Sequence, residues 1–120
     1  MGPTLLIVDD HPGFRSLARR LLTAGGFEVV GEAADGLAAI AAARRLQPDV
    51  VLLDVQLPDV DGFEVAARLR DGEAGPAVVL ISTRDRADYG PRVDRCGARG
   101  FIHKADLSGA AVHALLAATG

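Results

Sequence analysis

Polar residues able to do chemistry stand at the ends of the chain's apolar runs. Asp9 and Asp10 follow Leu5-Leu6-Ile7-Val8, and Asp54 follows Val50-Val51-Leu52-Leu53. Ser82 and Thr83 follow Ala77-Val78-Val79-Leu80-Ile81, and His103-Lys104 follow Phe101-Ile102. Clustered carboxylates repel one another unless a cation joins them. All-oxygen ligands favour a hard ion, and Mg²⁺ is the natural choice. With an ion bound, one carboxylate can attack a phosphoryl group and form an acyl phosphate. The metal and Lys104 would then stabilise charge on the transferring oxygens, and Ser82 could donate a hydrogen bond to one of them.

The elements that must position these groups are legible in the apolar pattern. Unbroken, β-branched-rich runs of four or five residues read as strands buried on both faces of a parallel sheet. Phe27-Glu28-Val29-Val30-Gly31-Glu32 is mixed and charged, as an edge strand is. Between the runs lie stripes at helical spacing. Phe14, Leu17, Ala18, Leu21 and Leu22 form the first, and Leu37, Ile40, Ala41 and Leu46 the second, entered through Asp35-Gly36 and stopped before Pro48. Phe63, Val65, Ala66 and Leu69 form the third. Leu107 to Ala118 forms the last, with Asp106 or Ser108 as its cap. Strand and helix alternate, which predicts βαβ units and a doubly wound parallel α/β sheet. Ligands of such sheets bind beyond the carboxyl ends of the strands, so four strands deliver their polar residues to one rim. Between Ser82 and Gly97 the pattern breaks at Tyr89-Gly90-Pro91. A proline inside a helix lacks its N–H and presses on the preceding turn, so this helix is either kinked or shortened to begin at Pro91.

Composition narrows the functional classes. The 120 residues suit one domain, and 49% hydrophobic with 24% charged residues is ordinary globular composition. Thirteen Lys+Arg against 16 Asp+Glu give a net charge of -3, and aromatics are only 4% without Trp. Neither a basic surplus nor a base-stacking platform is present, so direct DNA binding is not expected. The single cysteine, Cys96, excludes an internal disulfide and fits a reducing compartment. No apolar run approaches the ~18 residues that span a bilayer, and the Met1-Gly2-Pro3-Thr4 start is no signal peptide. A single cytoplasmic domain without membrane contact is expected.

Four stretches together resemble the response-regulator receiver domain of two-component signalling: Ile7-Val8-Asp9-Asp10-His11-Pro12, Asp54-Val55-Gln56-Leu57-Pro58-Asp59-Val60-Asp61-Gly62, Leu80-Ile81-Ser82, and Gly97-Ala98-Arg99-Gly100-Phe101-Ile102-His103-Lys104. Each motif alone is weak; four in order at these separations are highly specific. Asp9-Asp10-His11-Pro12 with Gly31-Glu32-Ala33-Ala34-Asp35-Gly36 looks most like receivers attached to helix-turn-helix transcription factors. The resemblance implies a flavodoxin-like (βα)5 fold with strand order 2-1-3-4-5. It implies that Asp54 is the phosphoacceptor, served by a sensor histidine kinase, a phosphotransfer protein or a small phosphodonor. Asp10 and Asp54 would bind Mg²⁺ (or Mn²⁺) directly with the Gln56 backbone carbonyl, and Asp9 through water. Ser82 would be the switch hydroxyl, Phe101 the switch aromatic and Lys104 the phosphoryl contact. Phosphorylation would reshape the surface of the fourth helix, fifth strand and fifth helix for a downstream protein or for a homodimer.

The chain departs from the family pattern at several places. Ala105 stands where a proline, often cis, is usual, so that peptide is expected to be trans. Thr83 replaces a small residue, and Pro91 alters the output surface. Gln56 and Arg84 resemble the family's modulators of aspartyl-phosphate lifetime, and Arg84 is expected to slow water attack.

Blander readings compete at each position. Alone, Asp9-Asp10 read as acidic residues complementing the first helix dipole. Beside Asp54 they read as an ion site. Asp59 and Asp61 read as turn formers, Cys96 as a buried small residue, and Phe101 equally as packing or switch. His11, His103 and His113 lack ligand spacing and read as solvated or locally bonded. Two rival functions remain. An aspartate-nucleophile phosphohydrolase usually wants an Asp two residues after the nucleophile, where this chain has Gln56. A receiver-fold interaction module independent of phosphate is kept open by Thr83, Ala105 and Gly90-Pro91. The expectation is a regulatory phosphoacceptor and not an enzyme, with residues 1–120 forming one receiver domain and no output domain. The chain is either a stand-alone receiver or a fragment, the former being expected.

Overall fold

The computed structural model describes residues 2–70 and 75–118. Five strands alternate with five helices: β1 (Thr4–Val8), α1 (Pro12–Ala24), β2 (Glu28–Ala33), α2 (Gly36–Leu46), β3 (Val50–Asp54), α3 (Gly62–Leu69), β4 (Ala77–Ser82), α4 (Arg92–Arg95), β5 (Gly100–His103) and α5 (Gly109–Ala117). The strands form one sheet in the order β2-β1-β3-β4-β5, and every pairing is parallel. This is the doubly wound order expected from the motifs.

Side-chain alternation explains the unbroken apolar runs. Leu6, Val8, Val51, Leu53, Val78 and Leu80 bury one face of the sheet against Ile40, Phe63, Val65 and Val93 of α2, α3 and α4. Leu5, Ile7, Val50, Leu52, Val79 and Ile81 bury the other face against Ala18 and Leu22 of α1 and Val112 of α5. Each central strand is covered on both sides, so both of its faces are apolar up to the carboxyl end, where Asp54 closes β3 and Ser82 closes β4. The edge strand β2 is half open, as its charges foretold, but it begins one residue later than expected. Phe27 precedes it and is buried. The neighbouring helices α1 and α5 meet where α1 ends and α5 begins, and a Cβ on Gly109 would come within 2.5 Å of Gly25 Cα.

Short polar residues set the helix starts. Asp35 accepts the Ala38 N–H at the start of α2, Asp61 the Glu64 N–H at α3, and Ser108 the Ala111 N–H at α5. Of the two candidate caps for α5, Ser108 is used; Leu107 lies ahead of the helix as a buried anchor. The segment after β4 forms a 3-10 turn over Arg86–Asp88, then turns through Gly90 at φ +59°, a left-handed value that favours glycine. Pro91 caps a four-residue α4 that begins at the next residue. Of the two expectations for this segment, the shortened helix is the one observed. The described residues contain no cis peptide, so the Lys104–Ala105 bond is trans, and no helix long and apolar enough to cross a membrane.

Candidate phosphoacceptor site

The carboxyl ends of β1, β3 and β5 bring the acidic residues and the lysine together. Asp9 directly follows β1, Asp54 is the last residue of β3, and Lys104 directly follows β5. Lys104 Nζ lies 2.5 Å from Asp9 Oδ2 and 3.2 Å from Asp54 Oδ2, with the Phe14 ring of α1 beneath it at 4.5 Å. Asp9 is fully buried and Asp54 nearly so. Burial pushes the Asp54 carboxyl above its ordinary pKa, and nearby Asp9 adds to this, against the Gln56 N–H and the Lys104 charge. Burial also works against the Lys104 ammonium, but Asp9 and Asp54 together outweigh it and hold its pKa above the usual value. Each charge is therefore held in place by the others.

The turn after β1 presents Asp9, Asp10 and His11. Asp9 Oδ1 accepts the His11 N–H at 2.8 Å, and the His11 ring nitrogen Nδ1 lies 3.2 Å from that oxygen and 3.0 Å from Asp10 Oδ1. His11 is thus locally bonded, and it joins the acidic cluster. Arg15 holds the turn from behind, donating to the Asp9 carbonyl at 2.7 Å and to Glu32 at 3.0 Å. Arg19 grips the same Glu32 carboxylate at 2.8 Å. Hydrogen bonds from Arg19 and then Arg15 hold Glu32 below its ordinary pKa, against the opposing effect of burial.

One ligand atom from each of Asp9, Asp10, His11 and Asp54 falls within 4.8 Å of the others. Asp9 Oδ2 is buried without an aligned hydrogen-bond donor among the described residues, although the Lys104 ammonium lies beside it. A buried, under-donated carboxylate oxygen among further carboxylates is a donor set suited to a hard divalent cation. Gln56 folds back so that its N–H donates to Asp54 Oδ1 at 2.9 Å.

The β3–α3 loop that carries Gln56 is pinned from two directions. Asp59 accepts the Gly36 and Leu37 N–H groups at 2.8 and 3.0 Å, capping α2 from across the sequence. These bonds hold its carboxyl below the ordinary value. At the other end a Cβ on Gly62 would lie 2.5 Å from the Asp54 carbonyl oxygen, so only glycine lets α3 begin this close to β3. Asp61 is a helix cap, as a turn former would be. Asp59 does more than form a turn, because it ties two loops together.

Ser82 ends β4 and is fully buried. Its Oγ accepts the Arg84 N–H at 3.0 Å and lies 2.7 Å from the Tyr89 phenol oxygen, while the described partners of Asp54 are Gln56 and Lys104. Phe101 is half-buried on β5 and packs on the Tyr89 ring at 5.9 Å between centroids. Thr83 and Arg84 are exposed, and Cys96 is buried with its Sγ toward the Val93 carbonyl. Sequence reading missed Phe14, Arg15, Asp59 and Tyr89 as site neighbours. Phe14 sat in a helical stripe that reads as core, and the other three carry no local signal because their partners are tertiary.

The response regulator receiver domain family matches residues 5–115. The transcriptional regulatory protein NarL of Mycobacterium tuberculosis is 42% identical over 101 residues, which is 83% of this chain and 47% of that protein. The DNA-binding transcriptional activator EvgA of Escherichia coli is 32% identical over 99 residues, covering 82% of this chain and 48% of that protein. This chain therefore spans about half the length of the curated relatives it matches. Among solved structures, the signal receiver domain of the M. tuberculosis NarL superimposes with a TM-score of 0.85 at 39% identity, covering 97% of this chain and 94% of that one. A LuxR-family response regulator from Aurantimonas sp. SI85-9A1 gives a TM-score of 0.87 at 30% identity, covering 98% and 86%. With its motifs at the strand ends of a 2-1-3-4-5 sheet, the chain belongs to the response regulator receiver domain family.

Proposed function

We propose that this receiver accepts a phosphoryl group on Asp54 and relays that event to a protein partner. The observation that carries the reading is the environment of Asp54. It is a buried carboxylate at a strand end, fixed by the Gln56 N–H at 2.9 Å and the Lys104 ammonium at 3.2 Å, with Asp9 sharing the same lysine. A carboxylate oxygen of Asp54 attacks phosphorus; the acyl phosphate P–O bond forms as the bond to the donor breaks, and the donor departs with its electron pair. Lys104 follows the charge onto the phosphoryl oxygens, and Ser82 donates to one of them. Asp9, Asp10, Asp54 and the Gln56 backbone carbonyl would hold Mg²⁺, with Mn²⁺ as a substitute. When bound, Mg²⁺ neutralises the carboxylates and the charge developing in transfer.

The donors are a sensor histidine kinase, a phosphotransfer protein or a small acyl phosphate, and the setting is the cytoplasm. Output leaves through the surface around α4, β5 and α5, to a downstream protein or a phosphorylation-dependent homodimer and not to DNA or a membrane. The 120 residues act as one receiver unit. It is a regulatory phosphoacceptor and not a turnover enzyme, because the residue two beyond Asp54 is Gln56, which cannot serve as an acid.

Incubation with Mg²⁺ and acetyl phosphate followed by intact mass measurement tests this. A phosphoryl-sized gain is expected in the wild type and none in Asp54→Asn. No gain in either protein would leave a phosphate-independent interaction module as the reading. Sustained release of phosphate from a phosphomonoester would indicate a phosphohydrolase.

A further inference from the structure

Tyr89 has no part in the transfer chemistry, yet its phenol oxygen lies 2.7 Å from Ser82 Oγ. A hydroxyl has one proton and two lone pairs. The Arg84 N–H takes one lone pair of Ser82, and Tyr89 takes a second of these three positions. Both partners belong to the segment leaving β4, whereas both Asp54 oxygens are engaged elsewhere, by Gln56 and by Lys104. The Tyr89 ring stands edge-on to Phe63 of α3 at 5.4 Å and tilted against Phe101 of β5 at 5.9 Å. One half-buried side chain therefore touches the serine, α3 and β5 together.

We infer that Tyr89 is the positioning residue of Ser82: its phenol holds the hydroxyl in the unphosphorylated protein, and Ser82 exchanges it for a phosphoryl oxygen when Asp54 is modified. The inference rests on the reading of Asp54 as phosphoacceptor. No covalent bond changes in this step; one hydrogen bond replaces another. Ser82 is the one described hydrogen-bond partner of the phenol. A buried hydroxyl without a partner is costly, so the freed ring turns toward water. That movement takes it off Phe63 and Phe101 and carries the change at Asp54 to the α4–β5 surface. In this step Ser82 is the donor to the phenol, so the phenol and the phosphoryl oxygen compete for its single proton, which biases the receiver toward its unphosphorylated state. The bias is about fivefold, the factor that a neutral hydrogen bond contributes.

Tyr89 is the chain's only tyrosine and there is no tryptophan, so tyrosine absorbance and emission report on this phenol alone. The full chain is incubated with Mg²⁺ and acetyl phosphate, and mass and tyrosine emission are followed on the same sample. The wild type is expected to gain mass and change emission together, and Asp54→Asn to do neither. Mass gain with unchanged emission overturns the inference and leaves the phosphoacceptor reading intact; no mass gain overturns both. In a second arm, Tyr89→Phe keeps the ring and removes the hydroxyl. It should lower the acetyl phosphate concentration for half-maximal phosphorylation about fivefold. In a Ser82→Ala background the same substitution should shift nothing. An unchanged or raised midpoint, or an equal shift in both backgrounds, overturns the inference.

Discussion

Lys104 reaches from the end of β5 across β4 and β3 to Asp9 at the end of β1, where its Nζ lies 2.5 Å from a carboxylate oxygen that is fully buried. Asp54 lies along that path, 3.2 Å from the same ammonium. One lysine therefore ties three strand ends together and offsets two buried carboxylates that would otherwise repel. The proposed phosphoryl chemistry and the stability of the receiver draw on the same charge.

Lys104→Met keeps an unbranched apolar side chain and removes the charge that lies over the Phe14 ring. Breaking a buried ion pair costs about 3–5 kcal/mol. Asp54, already pushed toward protonation by its burial, can take up a proton and relieve part of this, so a loss of about 2 kcal/mol is expected. Urea unfolding with chelator and with millimolar Mg²⁺ checks it. The deficit of the variant should narrow with Mg²⁺, and an equal deficit in both would show that the lysine does not compensate the acidic pair.

Glu32→Gln weakens the grip of Arg15 and Arg19 and so loosens the support behind the Asp9 carbonyl. The pair network is partly solvent-screened, so the loss at neutral pH is about 0.5 kcal/mol. Glu32 has a folded pKa below its unfolded value, and its contribution is present above the unfolded value near 4.3. That contribution disappears as pH falls through the depressed folded value. Stability curves of wild type and variant should converge in that acid window. A gap that persisted below it would assign the effect to packing instead.

Gly62→Ala puts a methyl 2.5 Å from the Asp54 carbonyl oxygen and 2.7 Å from Val55 Cα. Both neighbours are backbone and cannot rotate away, so β3 and α3 must separate. Overpacking of this kind costs about 1–3 kcal/mol. The acetyl phosphate reaction at Asp54 should slow as well. Unaltered stability and reaction rate would mean that the loop absorbs the methyl without disturbing the site.

Asp59→Ala removes the tether between the β3–α3 loop and the start of α2, leaving the Gly36 and Leu37 N–H groups without their acceptor. The urea midpoint should fall without a change in slope, and Asp54 should react more slowly because Gln56 rides on the released loop. The Gly36 and Leu37 N–H groups depress the folded pKa of Asp59. The tether therefore persists as pH falls past the unfolded aspartate value near 3.9 and is lost below it. A variant that matched the wild type in both measurements would reduce Asp59 to an ordinary turn residue.

Much of the fold was legible because each central strand is covered on two faces. Leu5–Val8, Val50–Leu53 and Ala77–Ile81 must then be apolar throughout, and their polar ends stand out. The helix starts at Asp35, Asp61 and Ser108 were legible for a similarly local reason: a side-chain oxygen satisfies an N–H three residues on. Pro91 announced a broken fourth helix because a missing N–H is a property of the residue itself.

The sequence by itself therefore determined the elements and the polar rim at their carboxyl ends, because strand burial and capping act within a few residues. Only the tertiary structure decided which partner each polar group takes. Nothing local says that Ser82 turns to Tyr89, that Asp59 caps α2, or that Arg15 holds the Asp9 carbonyl. Those choices follow from how close separate loops come once two layers of helices close on the sheet, and a buried polar group must accept whichever neighbour that packing supplies.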